Sequence, residues 1–392
     1  MKHLIIALMS IIAISSNLFS QSNIDKTLIE IEKNNTTLSA LRKSVEANKI
    51  GNKTGIYLQN PEVEFNYLWG NPSAFGNRTD VSVKQAFDFP TAYSYKSQIS
   101  NIKNEQVEFE YQKQRRLILL QTRLICTDLT YSNTLKLELS KRIIHAQDIA
   151  NAYKSKFDIG ETNILEYNKA QLNLLNISKE LESIEIERNA LLSELSRLNG
   201  GQSIDFTDSV FQEPIISTDF EQWYVLLEQN NPVLSWLKKE IEICQKQEKL
   251  NRAMSLPKLQ TGYISEKVTG QQFQGVTVGL SIPLWENKNK VEFAKANTIA
   301  LESIATDNKL QFYNHLKTLH TKAISLQKNV NDYRLSLLSY DNSELLKKAL
   351  DKGEISLINY ILELSIYYES VNKLLELERE MNKTLAELNQ YM

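Results

Sequence analysis

The chain has 392 residues, 45 basic and 47 acidic, for a formal net charge of −2, a balance that gives no electrostatic basis for nucleic-acid binding. The length admits two domains or one large repeated one. Twelve glycines and seven prolines are few for this length, so the composition favours long helices over a loop-rich fold.

The first residues, MKHLIIALMSIIAISSNLFSQSN, combine a basic start at Lys2, an apolar run from Leu4 to Ile14, and small or polar residues ending at Ser20. This is the pattern of a secretory signal peptide over 1–20, with cleavage expected near Ser20–Gln21. The run is too short for a permanent membrane helix, and no later stretch approaches the ~20 apolar residues such a helix needs. An exported chain that meets a membrane must then do so with strands. Export permits disulfides, but Cys126 and Cys244 sit in helical patterns of different halves, so two packed free thiols are expected.

The chain repeats itself. Asn34–Lys43 matches Asn230–Lys239, and Pro61 returns as Pro257, both 196 residues on; Pro90 returns as Pro283 and Gly160 as Gly353, both 193 residues on. A three-residue slip in a loop reconciles these offsets, and the reading is a tandem duplication: a first repeat over 21–199, a linker over 200–218 and a second repeat over 219–392. Each repeat opens with a short helix (24–33; 220–229), with Asp25 and Thr218-Asp219 as N-cap regions. A longer helix follows (37–52; 233–252).

The period then changes to two. Val63, Phe65, Tyr67 and Trp69 alternate with polar residues over 61–69, and Val81, Val83, Phe87 and Phe89 do so over 79–89, with Gly70–Arg78 as hairpin loop. In the second repeat, 258–265 is a weaker strand and 274–284 a strong one, with Val276, Val278, Leu280 and Ile282 on one face. Strict alternation over 9–11 residues suits strands that cross a bilayer in a barrel; an ordinary sheet with one solvated face is the competing reading.

A proline, Pro90 or Pro283, ends each second strand, and the pattern turns helical again without Pro or Gly until the tip glycines. From Ala92 to Phe157 this predicts a rod of about 100 Å at 1.5 Å per residue. The return helix over 163–198 carries Leu181, Ile184, Leu191, Leu195 and Leu198 on a coiled-coil seam with Arg188 in one seam position; Ile361, Leu364, Tyr368, Val371 and Leu375 repeat it. Such narrow seams need neighbours, and four strands cannot close a membrane barrel. Both deficits predict a homo-oligomer whose chains share one barrel and one helical tube, with the linker packed on the tube's outside. The fold class is therefore an α+β membrane protein, mostly α, a tandem repeat of helix, β-hairpin and long helical hairpin.

The residues offer little chemistry. His315 and His320 are five apart, which does not put them on one helical face as a metal pair requires, and no nucleophile or phosphate-binding motif is present. No enzyme, cofactor or metal is expected. The exceptions are the tips, where Asp158, Glu161 and Glu166 surround Gly160, and Asp351, Glu354 and Glu363 surround Gly353. An acidic ring at the mouth of a tube would favour cations; acids in first helical turns are the structural alternative. Glu166 reads as lying well inside its helix.

With signal peptide, duplication, strand hairpins and glycine-tipped helical hairpins in order, the mature chain resembles a TolC-family outer-membrane efflux protein. The most specific marks are Phe157-x-x-Gly160 followed by a helix with Glu166, the echo at Gly353, and the strand-to-helix prolines Pro90 and Pro283. The resemblance implies a homotrimer with a shared twelve-stranded barrel in the outer membrane and a helical tunnel through the periplasm. It also implies docking to a periplasmic adaptor and an inner-membrane transporter. The hairpin loops 70–78 and 266–273 would face outside. The tips (Asp158, Gly160, Glu161, Asp351, Gly353, Glu354) would meet the adaptor, and Glu166, Asn359 and Glu363 would sit at the pore entrance. Relatives often carry an acid six residues after the tip glycine: Glu166 here, but Asn359 in the second repeat, with Leu362 three residues later and Glu363 beside it. The implied function is a passive export duct for small molecules or ions. A protein-secretion conduit, or a soluble periplasmic coiled-coil scaffold, are the alternatives.

Overall fold

The computed structural model of the chain describes residues 23–213, 216–217 and 219–392. The expected signal peptide and its cleavage site, and linker residues Pro214, Ile215 and Thr218, lie outside the described residues. The order is α1 (Asn23–Asn34), α2 (Thr36–Gly51), β1 (Glu62–Leu68), β2 (Arg78–Phe87), α3 (Pro90–Asp158) and α4 (Ile164–Leu198). It continues as α5 (Phe220–Asn230), α6 (Pro232–Met254), β3 (Lys258–Val268), β4 (Gln271–Ser281), α7 (Lys290–Ser339), α8 (Ser343–Asp351) and α9 (Leu357–Leu388).

Local side-chain chemistry sets many of these boundaries. Asn35 and its repeat equivalent Asn231 both cap the following helix, their side-chain oxygens accepting from the Leu38 N–H at 2.9 Å and the Val233 N–H at 2.8 Å. Asp219 accepts from the Gln222 N–H at the start of α5, whereas Asp25 lies inside the first turn of α1, where its charge suits the helix dipole.

The chain forms two compact units, each drawing on both halves of the sequence. Among the described residues, the helical unit comprises those up to Ser39, those within Gln114–Leu227 and Asn314–Met392. Its main core gathers Ile31, Ile125, Cys126, Leu129, Leu195 and Leu198 around Phe206, a linker residue. The linker is pinned along α3 there: Asn133 donates to the Asp208 carbonyl and Thr134 to the Ser209 carbonyl. A second cluster joins Tyr131, Leu135 and Leu139 of α3 to Leu375 of α9, with Leu181, Ile184 and Val371 packed on it. The seam residues therefore do what their spacing predicts, and Arg188, the polar member, donates to the Asn133 side chain at 2.6 Å. Fully burying one such leucine is worth roughly 1.5–3 kcal/mol.

The sheet-bearing unit comprises Ala40–Lys113 and Glu228–Tyr313. Its four strands are antiparallel in the order β1-β2-β3-β4, leaving β1 and β4 as open edges. The register aligns Val63, Val83, Tyr263 and Val276 in one row, and Phe87, Leu259 and Leu280 in another. Cross-strand partners share a face, so one face carries Val63, Phe65, Val81, Val83, Tyr263, Val276 and Val278. The other carries Glu64, Lys84, Arg78, Asp80 and Glu266, which pair as Lys84–Glu64, Arg78–Asp80 and Arg78–Glu266. The apolar face is bare: Val276 is 83% exposed and Val278 81%. Beside the sheet, Ile99, Ile102 and Ile243 form a small helical core.

Several expectations are corrected. The β3–β4 loop is not 266–273 but a turn at Thr269-Gly270, because Gly270 takes φ of +80° and lets pairing run on to Val268↔Gln271. The strands become 258–268 and 271–281 instead of 258–265 and 274–284. Pro90 is the first residue of α3, as expected, with Ala92 donating to the Phe89 carbonyl. Pro283 is not a direct strand-to-helix junction: α7 starts at Lys290, after Asn289 at φ +63°, a conformation no helix can run through. The second ascending rod is also not continuous. It breaks between Ser339 and Ser343, where the Asp341 carboxylate accepts from both the N–H and the hydroxyl of Ser343, a local bonding pattern that competes with the helix. Cys126 and Cys244 are free and buried. Among the described residues no helix is long and apolar enough to cross a membrane.

Candidate functional site

The two tips are built by the same bonds. At the first, Gly160 donates to the Phe157 carbonyl and Glu161 to the Lys156 carbonyl, with Gly160 at φ +79°. At the second, Gly353 donates to the Leu350 carbonyl and Glu354 to the Ala349 carbonyl, with Gly353 at φ +74°. Both are Schellman closures, which require a left-handed residue where each glycine stands. Three residues later each return helix is capped: Asn163 accepts from the Glu166 N–H at 3.0 Å, and Ser356 from the Asn359 N–H at 3.3 Å.

Glu166 is therefore not well inside its helix. It is the third residue of α4, where a carboxylate suits both the cap and the helix dipole. Its Oε1 takes the Lys169 ammonium at 2.8 Å and its side chain is 26% exposed. Beside it, burial first and the Glu166 charge second raise the Tyr153 hydroxyl above its ordinary range. Phe157 and Tyr167 stack across the turn with centroids 5.5 Å apart.

Asn359 holds the matching third position of α9 and is exposed. Glu363 lies one turn on, lining a cavity of about 240 Å³ with Tyr340 and Asn342 at the α7–α8 break. The three residues expected at a pore entrance thus divide into Glu166 and Asn359 at equivalent first-turn sites and Glu363 elsewhere. Asp158, Glu161, Asp351 and Glu354 are exposed at the tips. The two hairpins meet just behind the tips, where Ala150, Ala170 and Leu357 are buried together with Tyr153, Leu174, Leu350 and Ile361 packed around them.

One constellation escaped the sequence reading. On α3 the residues Leu135, Leu139, Arg142, Ala146 and Ala150 are all buried, so Arg142 occupies a core stripe. Its guanidinium lies 4.3 Å from the Tyr368 ring centroid and donates to the Asn372 side chain at 2.9 Å. Tyr360, fully buried, sets its ring edge-on to His145. The detectable signal was a charged residue at heptad spacing among apolar ones; on α9 Tyr368 stood in the seam, whereas Tyr360 and Asn372 carried no signal. Among the described residues no cluster of His, Cys, Asp and Glu could hold a metal ion.

No family model matches the chain, and no curated protein does either. Solved structures do match. The outer-membrane channel CmeC of Campylobacter jejuni superposes with a TM-score of 0.77 at 15% identity, covering 95% of this chain and 86% of that one. The outer-membrane protein VceC of Vibrio cholerae gives 0.72 at 12% identity, with 94% of each chain covered. The outer-membrane channel MtrE of Neisseria gonorrhoeae, in its open state, gives 0.69 at 11%, covering 94% and 88%. The chain has the fold of these outer-membrane channels, the fold that its resemblance to the TolC family implies.

Proposed function

We propose that the protein is the outer-membrane duct of a tripartite efflux system, a passive route that exports small molecules or ions. Three chains contribute four strands each to a twelve-stranded barrel, β4 of one pairing with β1 of the next, and their helical hairpins form a periplasmic tunnel. The tips around Gly160 and Gly353 form the periplasmic entrance and dock an adaptor that links the duct to an inner-membrane transporter. Glu166 and Asn359 then contribute to the entrance.

The observation that carries this reading is the bare apolar face of the sheet. A water-soluble protein covers such a face or keeps it small, and open edge strands invite pairing. Both features suit a sheet that closes with copies of itself inside lipid. Aromatic residues bracket the apolar band, with Tyr67 and Trp69 at one end and Phe89 and Trp285 past the other, as in the girdles of membrane barrels.

The test is a planar-bilayer recording on detergent-extracted protein whose mass is taken in the same detergent. A trimer that inserts and conducts is expected. A water-soluble species that never conducts would make the soluble scaffold the better reading.

A further inference from the structure

Between α3, α4 and α9 of the helical unit lies a cavity of about 350 Å³. Two of its polar groups are left unsatisfied. The Tyr360 hydroxyl, on a side chain with no exposed surface, has no hydrogen-bond partner, and neither does the Nε–H of Arg142, a residue only 5% exposed. Burying donors without acceptors is costly, so unpaired groups of this kind ask for a missing partner.

The charge balance asks the same question. Asp88 and Glu378, the buried carboxylates among the described residues, each hold a cation, Lys96 at 2.8 Å and Arg334 at 2.6 Å. Arg142 has no carboxylate within ion-pair reach, only the Asn372 oxygen and, at 3.5 Å, the Tyr368 carbonyl. Burial lowers its affinity for its proton, and burial holds the Tyr360 hydroxyl up at about 12, so that group stays a neutral donor. Both residues line the same cavity. The rest of the wall is largely aliphatic, from Ile149, Ile177, Ile361 and Leu364. Glu180 and Glu369 also line the cavity, and the Glu180 charge acts on Arg142; both repel an anion, so a carboxylate fits only against Arg142 and needs the apolar wall to hold its body.

We propose that this cavity binds a small amphiphilic carboxylate, its oxygens taken by Arg142 Nε and the Tyr360 hydroxyl and its apolar body by the isoleucine wall. An arginine supplies a charge-assisted bond to such a group, and a cleft of apolar lining with a few convergent donors is the usual form of a small-molecule site. Because α3 and α4 belong to one hairpin and α9 to the other, the occupant ties the two hairpins together. The inference rests on the fold of this unit and not on the export reading.

The experiment uses the full-length, detergent-extracted protein and sodium benzoate as probe, with sodium chloride at matched ionic strength and neutral benzamide as controls. A saturable rise in melting temperature with benzoate alone is expected. Tyr360→Phe, which removes only the hydroxyl, and Arg142→Lys, which keeps the charge but loses Nε–H, should each weaken the apparent affinity at least tenfold. Unliganded Tyr360→Phe should melt no lower than the parent, since it deletes an unsatisfied group. The proposal is overturned if benzoate does no more than chloride, if benzamide matches it, or if both variants respond as the parent does. A drop in the melting temperature of unliganded Tyr360→Phe would likewise overturn it, because the hydroxyl would then already be satisfied, by ordered water.

Discussion

Gly160 and Gly262 show how differently two glycines constrain one chain. At Gly160 the backbone is left-handed, yet a Cβ would meet nothing within 4 Å. The cost of a side chain there is conformational alone, about 1–2 kcal/mol for an L-residue held in that region. At Gly262 the φ is ordinary, but a Cβ would lie 2.4 Å from the Val83 carbonyl oxygen of the neighbouring strand. That contact is with backbone, so the strand itself must move. We therefore expect Gly262→Ala to lower the melting temperature more than Gly160→Ala, with Gly353→Ala resembling Gly160→Ala because its φ and its empty surroundings match. Thermal unfolding of the three variants checks the ranking. The reverse order would mean that the Schellman closure carries more of the stability than its local bonds account for.

At the scale of elements, the two long rods that follow the strand hairpins differ although the sequence predicts both from one pattern. α3 runs unbroken from Pro90 to Asp158, whereas α7 stops at Ser339 and α8 resumes at Ser343. The break is held by Asp341, whose carboxyl lies below its ordinary value of 3.8, first through the Ser343 hydroxyl and then through the Ser343 N–H. A folded value below the unfolded one means that the stabilisation is present above 3.8 and fades as pH falls through the lowered value. Asp341→Asn mimics the protonated state. Hydrogen exchange over 339–346 should therefore show the parent better protected than the variant at pH 7, with the difference shrinking as pH falls below 3.8; a difference that does not shrink on acidification would remove the carboxylate from the break. Elements like these mark where the sequence stops being readable. Long seams such as Leu181–Leu198 announce themselves by spacing, and the tips by one glycine each. The Asx turn at Asp341, the left-handed Asn289 and the two-residue turn at Thr269-Gly270 are decided by bonds of a single side chain or φ angle, below the resolution of periodicity. Arg142 shows in the sequence only as a charge at core spacing and Tyr360 not at all, for another reason: their environment is made by three helices, and no one segment encodes it.

For the whole molecule the decisive question is what solvent the sheet's apolar face meets, since alternation alone reads the same against lipid and against water. Val278 stands on that face, 81% exposed, and its neighbour Thr277 points to the polar face shared with Glu64 and Lys84. If water bathes the face, Val278→Arg exchanges an exposed apolar group for a solvated charge, and surface changes of this sort stay within about 0.5 kcal/mol. If lipid bathes it, the same change places a guanidinium in hydrocarbon and costs about 2–4 kcal/mol near the midplane of a barrel. Thr277→Arg, facing the lumen in the proposed trimer, meets water in either case and serves as the control. The measurement is the urea midpoint of the detergent- or liposome-reconstituted protein, followed by the heat-sensitive migration of the assembled form. We expect Val278→Arg to lose assembly at a markedly lower urea concentration while Thr277→Arg stays near the parent. Equal midpoints for both would sink the barrel, because a ring of twelve strands in lipid cannot be indifferent to which face a charge is placed on.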